Sequence, residues 1–342
     1  MTGRHATVAA FFMGQPMNER TGWWPVATIE SVGATPMRVL LLGEPVVLWR
    51  QPDGGLSALT DRCPHRGAQL SMGQVVGGEL QCPYHGWRFA PDGRCVAIPA
   101  VPDFTPAPVH SACRHAVQSA HGLVWVQLHS PDAGAVGQPL MTGVPDLSGL
   151  PPRHLMYGPF DVATSAPRAV ENFLDTSHFA FVHRDWLGDA QHPEVPTYVV
   201  EHTPDGRPLI PAYKAWQPRA TAAASGGDWV TYRYEVLSPY SALLSKQGDA
   251  GGPQDSYTIW ACPTTEDSCR LWFAQYTTDE STPDSVLREF QETIFSQDQP
   301  VLESQQPKRL PLSGGEAHSA ADRLSSAYRR YLQSLGVTYG VC

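Results

Sequence analysis

The chain has 342 residues, enough for about two domains that each bury a core. Its formal charge is -9 and it has no basic run, which excludes nucleic acid and an anionic membrane surface as partners. The hydrophobic fraction is 42% with no apolar stretch near the roughly 20 residues of a membrane helix, while 32 prolines and 30 glycines imply a loop-rich α+β or mostly β protein.

Ala6 to Met13 is mildly apolar behind Arg4 but lacks a small-residue cleavage pattern, so residues 1–21 read as an N-terminal extension. Strand signals follow at Met37 to Leu42, Val46 to Trp49, Leu56 to Thr60, Cys95 to Ile98 and Leu123 to Leu128. Turn formers separate them at 52–55, Gly77-Gly78 and 91–93, which predicts a small antiparallel β domain. From 130 to 152 the chain turns Pro, Gly, Asp and Ser rich, and the boundary is placed there, giving domains 22–135 and 136–342.

The second domain opens on a helix capped by Ser165, with Pro167 in its first turn, carrying Phe173, Leu174 and Phe181. Aromatic and β-branched runs predict strands at Val230 to Leu237, Tyr257 to Cys262 and Arg270 to Thr277. Loops are expected at 220–227 and 248–252. A last helix starts near Thr282-Pro283, points Leu287, Phe290 and Ile294 inward and runs towards Pro300.

Seven cysteines, an odd number, do not form a secreted disulfide framework and point to a reducing cytoplasm, with cysteine as a metal ligand. Cys63-Pro64-His65 and Cys82-Pro83-Tyr84-His85 stand sixteen residues apart and supply two thiolates and two imidazoles. In a Rieske [2Fe–2S] centre two thiolates hold one iron and two imidazoles the other. A structural zinc site uses the same four residues, but classical fingers place both Cys before both His, whereas here they interleave. Gly67 and Gly86 let the backbone approach the sulfides, and Tyr84 and Trp87 are candidates to wall the cluster. Cys95, Cys113, Cys262, Cys269 and Cys342 read as ordinary buried or surface thiols.

A second set of ligand types lies at Glu171-Asn172-Phe173-Leu174-Asp175-Thr176-Ser177-His178, followed by His183. On a helix Asn172, Asp175 and His178 share one face, and a helix end or distortion is expected between His178 and His183. Two His with one carboxylate leave half of an iron's coordination sphere open, as in non-haem Fe(II) oxygenases. Asp175 is the local carboxylate. Asp298 is the distant one, and it continues the Phe290, Ile294 stripe on a buried face, where an acid needs a partner such as a metal. Pro300 is expected to disturb the helix beside it.

The stretches CPHRG at 63–67, CPYHGW at 82–87 and ENFLDTSHFAFVH at 171–183 resemble the α-subunits of Rieske non-haem iron oxygenases, which include ring-hydroxylating oxygenases and aromatic O-demethylases. The resemblance implies an antiparallel β Rieske domain followed by a catalytic domain of helices on an antiparallel sheet. It assigns Cys63, His65, Cys82 and His85 to the cluster, and His178, His183 and Asp298 to a mononuclear Fe(II). It makes Asp175 a bridge to His85 of a neighbouring subunit in a head-to-tail homotrimer. The short chain and QDQPVLESQQP at 297–307 resemble the homotrimeric monooxygenating members. The implied function is a terminal oxygenase that hydroxylates or demethylates a small aromatic or related hydrophobic substrate with O2.

No Gly-x-Gly-x-x-Gly follows a strand, so electrons are expected from a separate NAD(P)H-dependent reductase, directly or through a ferredoxin. The alternatives are a ring cis-dihydroxylating dioxygenase and, in another class, a Rieske electron-transfer protein. The latter leaves the second domain unused. Tyr232, Tyr234, Trp260, Trp272, Tyr276 and Phe290 are candidates for an aromatic pocket wall, although such stripes on strands also serve as plain core.

Overall fold

The strand Glu44–Arg50 alternates strictly, with Val46 and Leu48 facing one core and Val47 and Trp49 facing another. The larger core runs through the whole molecule. The smaller one, with Leu59, Leu70, Leu80 and Phe89, sits under the two Cys-His loops. The computed structural model describes residues 17–128, 141, 144–219, 221–222 and 226–342. The Ala6 to Met13 stretch, the expected 135/136 boundary and part of the 220–227 loop lie outside the described residues.

The first part is antiparallel β throughout. Trp24–Thr28, Leu123–Gln127 and Ala116–Ala120 form one sheet, and Met37–Leu41, Glu44–Arg50 and Leu56–Thr60 a second. Four short strands, Gln74–Val76, Glu79–Gln81, Arg88–Phe89 and Cys95–Ala97, form a third.

The second part is a seven-stranded antiparallel sheet in the order Arg153–Val162, Ser268–Thr277, Asp255–Thr265, Ser241–Gly248, Asp228–Ser238, Pro208–Gln217 and Glu201–His202. Helices α1 (Ala166–Leu174), α2 (Phe179–Val182), α3 (Asp284–Ser304) and α4 (Arg323–Leu335) accompany it. The protein is thus α+β, with the cluster part first. Trp260 carries the first part on the other side of the sheet: its ring lies 5.5 Å from Trp125 and stacks on His121 at 5.6 Å.

The sequence reading did not mark the long strands Arg153–Val162, Pro208–Gln217 and Ser241–Gly248 or helix α4, nor Trp24–Thr28, Ala116–Ala120 and the short strands at 74–76, 79–81, 88–89 and 201–202. The first two carry prolines and a register irregularity, which blur the period-2 signal. α3 runs through Pro300 to Ser304 instead of stopping near it. Pro300 and Ser296, whose carbonyl loses its helical partner, both lie on the exposed side, so water can take that bond. Among the described residues no helix is long and apolar enough to cross a membrane.

α1 forms because Ser165 accepts from the Arg168 amide at 3.4 Å, Pro167 suits the first turn, and Ala166, Ala169, Val170 and Leu174 repeat along one buried face. A buried ionic network then anchors it. Arg329 on α4 binds Glu171 through two bonds of 2.6 and 2.8 Å and Glu316 at 2.5 Å, and Arg168 binds Glu316 at 2.6 Å.

Candidate metal centres

The two Cys-His loops are the same turn used twice. Gly67 and Gly86 donate back to the Cys63 and Cys82 carbonyls at 2.9 and 3.1 Å, and each Cys amide donates to the residue after the glycine, Ala68 or Trp87, at 2.8 Å. Both glycines have a left-handed φ, +74° and +71°, which closes the turn without strain on a side chain.

The turns bury the thiols of Cys63 and Cys82 together and leave His65 partly and His85 largely exposed, their rings 4.6 Å apart. Burial pushes the Cys63 thiol up to about 11, and the Cys82 thiol beside it adds to this, while the backbone amides of His65 and Arg66 donate to the sulfur and oppose it. Two adjacent buried thiols, amides aimed at sulfur and a buried His65 Nδ1 with no hydrogen-bond partner fit a [2Fe–2S] group of Rieske type. Trp87 stacks on His65 at 4.6 Å and 4°, as a wall should. Tyr84 does not wall the cluster: it is 65% exposed, with its ring against the outer face of His85.

The second centre departs from the expected single helix. α1 ends at Leu174, Asp175 is extended at φ -77° and ψ 136°, and the chain re-enters a four-residue helix flanked by His178 and His183. Asn172, Asp175 and His178 therefore do not share one helix face. The break comes before His178, because Asp175 turns back to accept from the Ser177 amide and hydroxyl at 3.1 and 2.8 Å.

The break brings His178 and His183 to one point, their Nε2 atoms 3.2 Å apart. Asp298 arrives from α3, its Oδ1 3.6 Å from His178 Nε2 and 3.3 Å from His183 Nε2. Cis donors around an ion bonded at about 2.1 Å stand roughly 3 Å apart, so these three atoms fit one face of an octahedral Fe(II). His178 Nδ1 meets Asp175 Oδ2 at 2.9 Å and His183 Nδ1 meets Gln297 Oε1 at 2.8 Å, which fixes both rings with Nε2 free to bind metal. Asn172 donates to Asp298 at 3.4 Å.

Burial opposes charge on His178, but Asp175 and Asp298 outweigh it and raise its pKa; a cation at Nε2 would answer the same excess of negative charge. Burial also opposes ionisation of Asp175, yet hydrogen bonds from His178 and Ser177 hold its carboxyl at about 2.

Above this group a cavity lies between the sheet and helices α1 and α3, lined by Phe173, Tyr232, Leu244, Ile259, Phe273 and Phe290 among others. Of the six aromatic candidates from sequence, Tyr232 and Phe290 line it. Tyr234, Trp260, Trp272 and Tyr276 are buried elsewhere as core, with Trp260 serving the contact with the first part. Sequence reasoning missed Gln297, Lys246 and Gly188. Gln297 follows no apolar period, Lys246 looks like a strand-surface cation, and Gly188 lies in a loop, where only the fold presses its backbone on Phe179.

The Rieske [2Fe-2S] domain family matches residues 22–119, and the Vanillate O-demethylase oxygenase C-terminal domain family matches residues 162–338, just over half of the chain. The chain is 32% identical over 333 residues to methylxanthine N3-demethylase NdmB of Pseudomonas putida, covering 92% of this chain and 89% of that protein. It is 28% identical over 314 residues to the oxygenase component of dicamba O-demethylase from Stenotrophomonas maltophilia, covering 85% and 88%. The structure of Pseudomonas putida CBB5 NdmA with caffeine superimposes with a TM-score of 0.78 at 28% identity, over 92% of this chain and 90% of that one. With both ligand sets, both domain families and full-length relatives in agreement, the chain belongs to the Rieske non-haem iron oxygenases, as an α-type subunit that carries a [2Fe–2S] cluster and a mononuclear iron and uses O2.

Proposed function

We propose that this subunit oxidatively demethylates a small aromatic or heteroaromatic substrate at nitrogen or oxygen. The observation that carries this is the largely apolar cavity, part aromatic and part aliphatic, ending on His178, His183 and Asp298, in a chain whose relatives over most of its length are named as N- and O-demethylases. Cys63, His65, Cys82 and His85 are assigned to the cluster, and His178, His183 and Asp298 to the iron. When bound, the iron supplies dioxygen activation and the cluster supplies electrons. The chain's own contribution is to hold a flat ring with its methyl group at the triad and to keep water out with Phe173, Phe273 and Phe290. The overall change is R–X–CH3 + O2 + 2 e⁻ + 2 H⁺ → R–XH + HCHO + H2O.

Electrons are assigned to a separate NAD(P)H-dependent reductase, directly or through a ferredoxin, and the active form to a head-to-tail homotrimer in the cytoplasm. Among the described residues of one chain, Asp175 hydrogen-bonds to Ser177 and His178, and no bond links it to His85. Exposed apolar groups flank both centres, Tyr84 at the cluster and Phe181 beside His178, as two docking faces would. The proposed modules are 22–135 for the cluster and 136–342 for the iron.

The test is turnover with a reductase and a panel of methylated aromatics, counting formaldehyde against oxygen consumed. One formaldehyde and one demethylated product per O2 are expected. A cis-diol carrying both atoms of labelled dioxygen as the main product would overturn this reading.

A further inference from the structure

Lys246 is a cation in an apolar cavity. It is 6% exposed, and among the described residues lining the cavity it is the sole Lys or Arg. The strand Ser241–Gly248 places Leu244 and Lys246 on the cavity face, with Lys246 directly opposite Tyr232 on one side and Asp255 on the other. Its ammonium lies 5.5 Å from the Tyr257 ring centre. Among the described residues it makes no hydrogen bond and no ion pair.

The nearest acid does not fill that vacancy. Asp255 is buried, is not part of the cavity lining, and accepts from Gln275 Nε2 at 3.2 Å, while Gln275 Oε1 accepts from the Tyr157 hydroxyl at 2.5 Å. This chain holds the carboxylate back in the sheet. Burial lowers the pKa of Lys246, and Asp255 acts against that loss. A buried ammonium without a partner is costly, and an anionic oxygen brought in by a ligand is the group that completes it.

The position also suits a ring-sized ligand. From His183 the ring of Phe179 lies 6.0 Å away, Tyr232 lies a further 6.0 Å on, and Lys246 is the cross-strand neighbour of Tyr232. Lys246 is therefore set apart from the metal-binding atoms by two aromatic rings along one wall. We propose that Lys246 determines specificity by pairing with an anionic oxygen on the methylated aromatic substrate, at the end of the molecule away from the methyl group that is removed. This rests on the reading of the cavity as the substrate pocket of a demethylase.

The experiment is equilibrium dialysis of the anaerobic holoenzyme against charge-matched pairs: 3-methoxybenzoate with 3-methoxybenzamide, and an ionised N-methylurate with the corresponding neutral N-methylxanthine. The wild type is expected to bind at least one anion roughly 10- to 100-fold more tightly than its neutral partner. Lys246→Met should erase that preference with cluster absorbance and iron content unchanged, and Lys246→Arg should restore part of it. If no anion binds more tightly than its partner in the wild type, or if Lys246→Met keeps the preference, Lys246 is not the recognition group. Formaldehyde from neutral substrates alone would sink this proposal and leave demethylation standing. Lys246-dependent anion binding with oxygen uptake but no formaldehyde would do the reverse.

Discussion

His183 is gripped by two consecutive residues of α3: Gln297 Oε1 stands 2.8 Å from its Nδ1, and Asp298 Oδ1 stands 3.3 Å from its Nε2. Neighbours on a helix diverge by about 100°, so an imidazole can be held between them only if it enters edge-on across the helix surface. One turn of α3 thus supplies both the carboxylate proposed to face the iron and the acceptor that orients the His183 ring.

Replacing that acceptor tests the arrangement. Gln297→Leu should weaken iron binding roughly 10- to 100-fold without changing the cluster spectrum, and Gln297→Glu should retain most of it. Chelator competition measures the effect; unchanged iron affinity in Gln297→Leu would show that His183 is positioned by packing alone.

The two acids should separate by phenotype. Asp298→Ala should lose iron, whereas Asp175→Asn should keep iron and lower turnover by roughly 10- to 100-fold. Iron analysis with stopped-flow oxidation of the reduced cluster distinguishes them, and the opposite pattern would exchange their roles. A fully active monomer would remove the intersubunit bridge.

Asp175 also predicts an acid dependence. Its folded carboxyl, at about 2, lies below the ordinary 3.8, so its contribution to stability is complete above about pH 4 and is lost as pH falls towards 2. In iron-free protein the Tm gap between wild type and Asp175→Asn should therefore shrink as pH falls through that acid window. A gap that stays constant from about pH 4 down towards 2 would contradict it.

Gly188 is confined by its surroundings: a Cβ there would meet the carbonyl carbon of Phe179 at 2.3 Å and the Ala180 nitrogen at 2.4 Å. Its amide also bonds to the His183 carbonyl at 3.2 Å. Gly188→Ala should push α2 away, reducing both iron occupancy and stability, the latter by about 1–3 kcal/mol. Calorimetry and iron content read the two effects, and a variant with native values of both would show that the loop can give.

Removing Arg329 leaves Glu171 buried without its counter-ion. Arg329→Ala should destabilise the fold by about 3–5 kcal/mol in denaturant unfolding, with a smaller effect from Glu316→Gln, because Glu316 is the more exposed acid. Equal effects would mean that the network is a surface one.

The cluster loops could be read from sequence because each is local: a Cys, a His within three residues and a glycine after it define the turn by themselves. The iron centre was legible only in pieces. His178 and His183 are five apart and so betray a broken helix, but the place of the break depends on Ser177 and Asp175 bonding each other, a contest that periodicity does not record. Asp298 showed itself as an acid out of place on an apolar stripe. Lys246 had no such marker, since a lysine on an alternating strand looks the same whether its face meets water or a cavity. Arg153–Val162 was hidden for another reason, its Gly158-Pro159 irregularity interrupting the alternation that identifies a strand.

The strand Glu44–Arg50 acts as a party wall, since neighbouring residues on it belong to different interiors. Inserting or deleting one residue would reverse every tenant, sending Trp49 out from beneath the two Cys-His loops and into the shared core of the oxygenase. Only replacements that keep the reading frame of this strand can retune the surroundings of the cluster. For chimaera building, the cluster module cannot be cut free at this strand: a graft must bring Val46 and Leu48 together with the surface they lean on, or it will expose them to water.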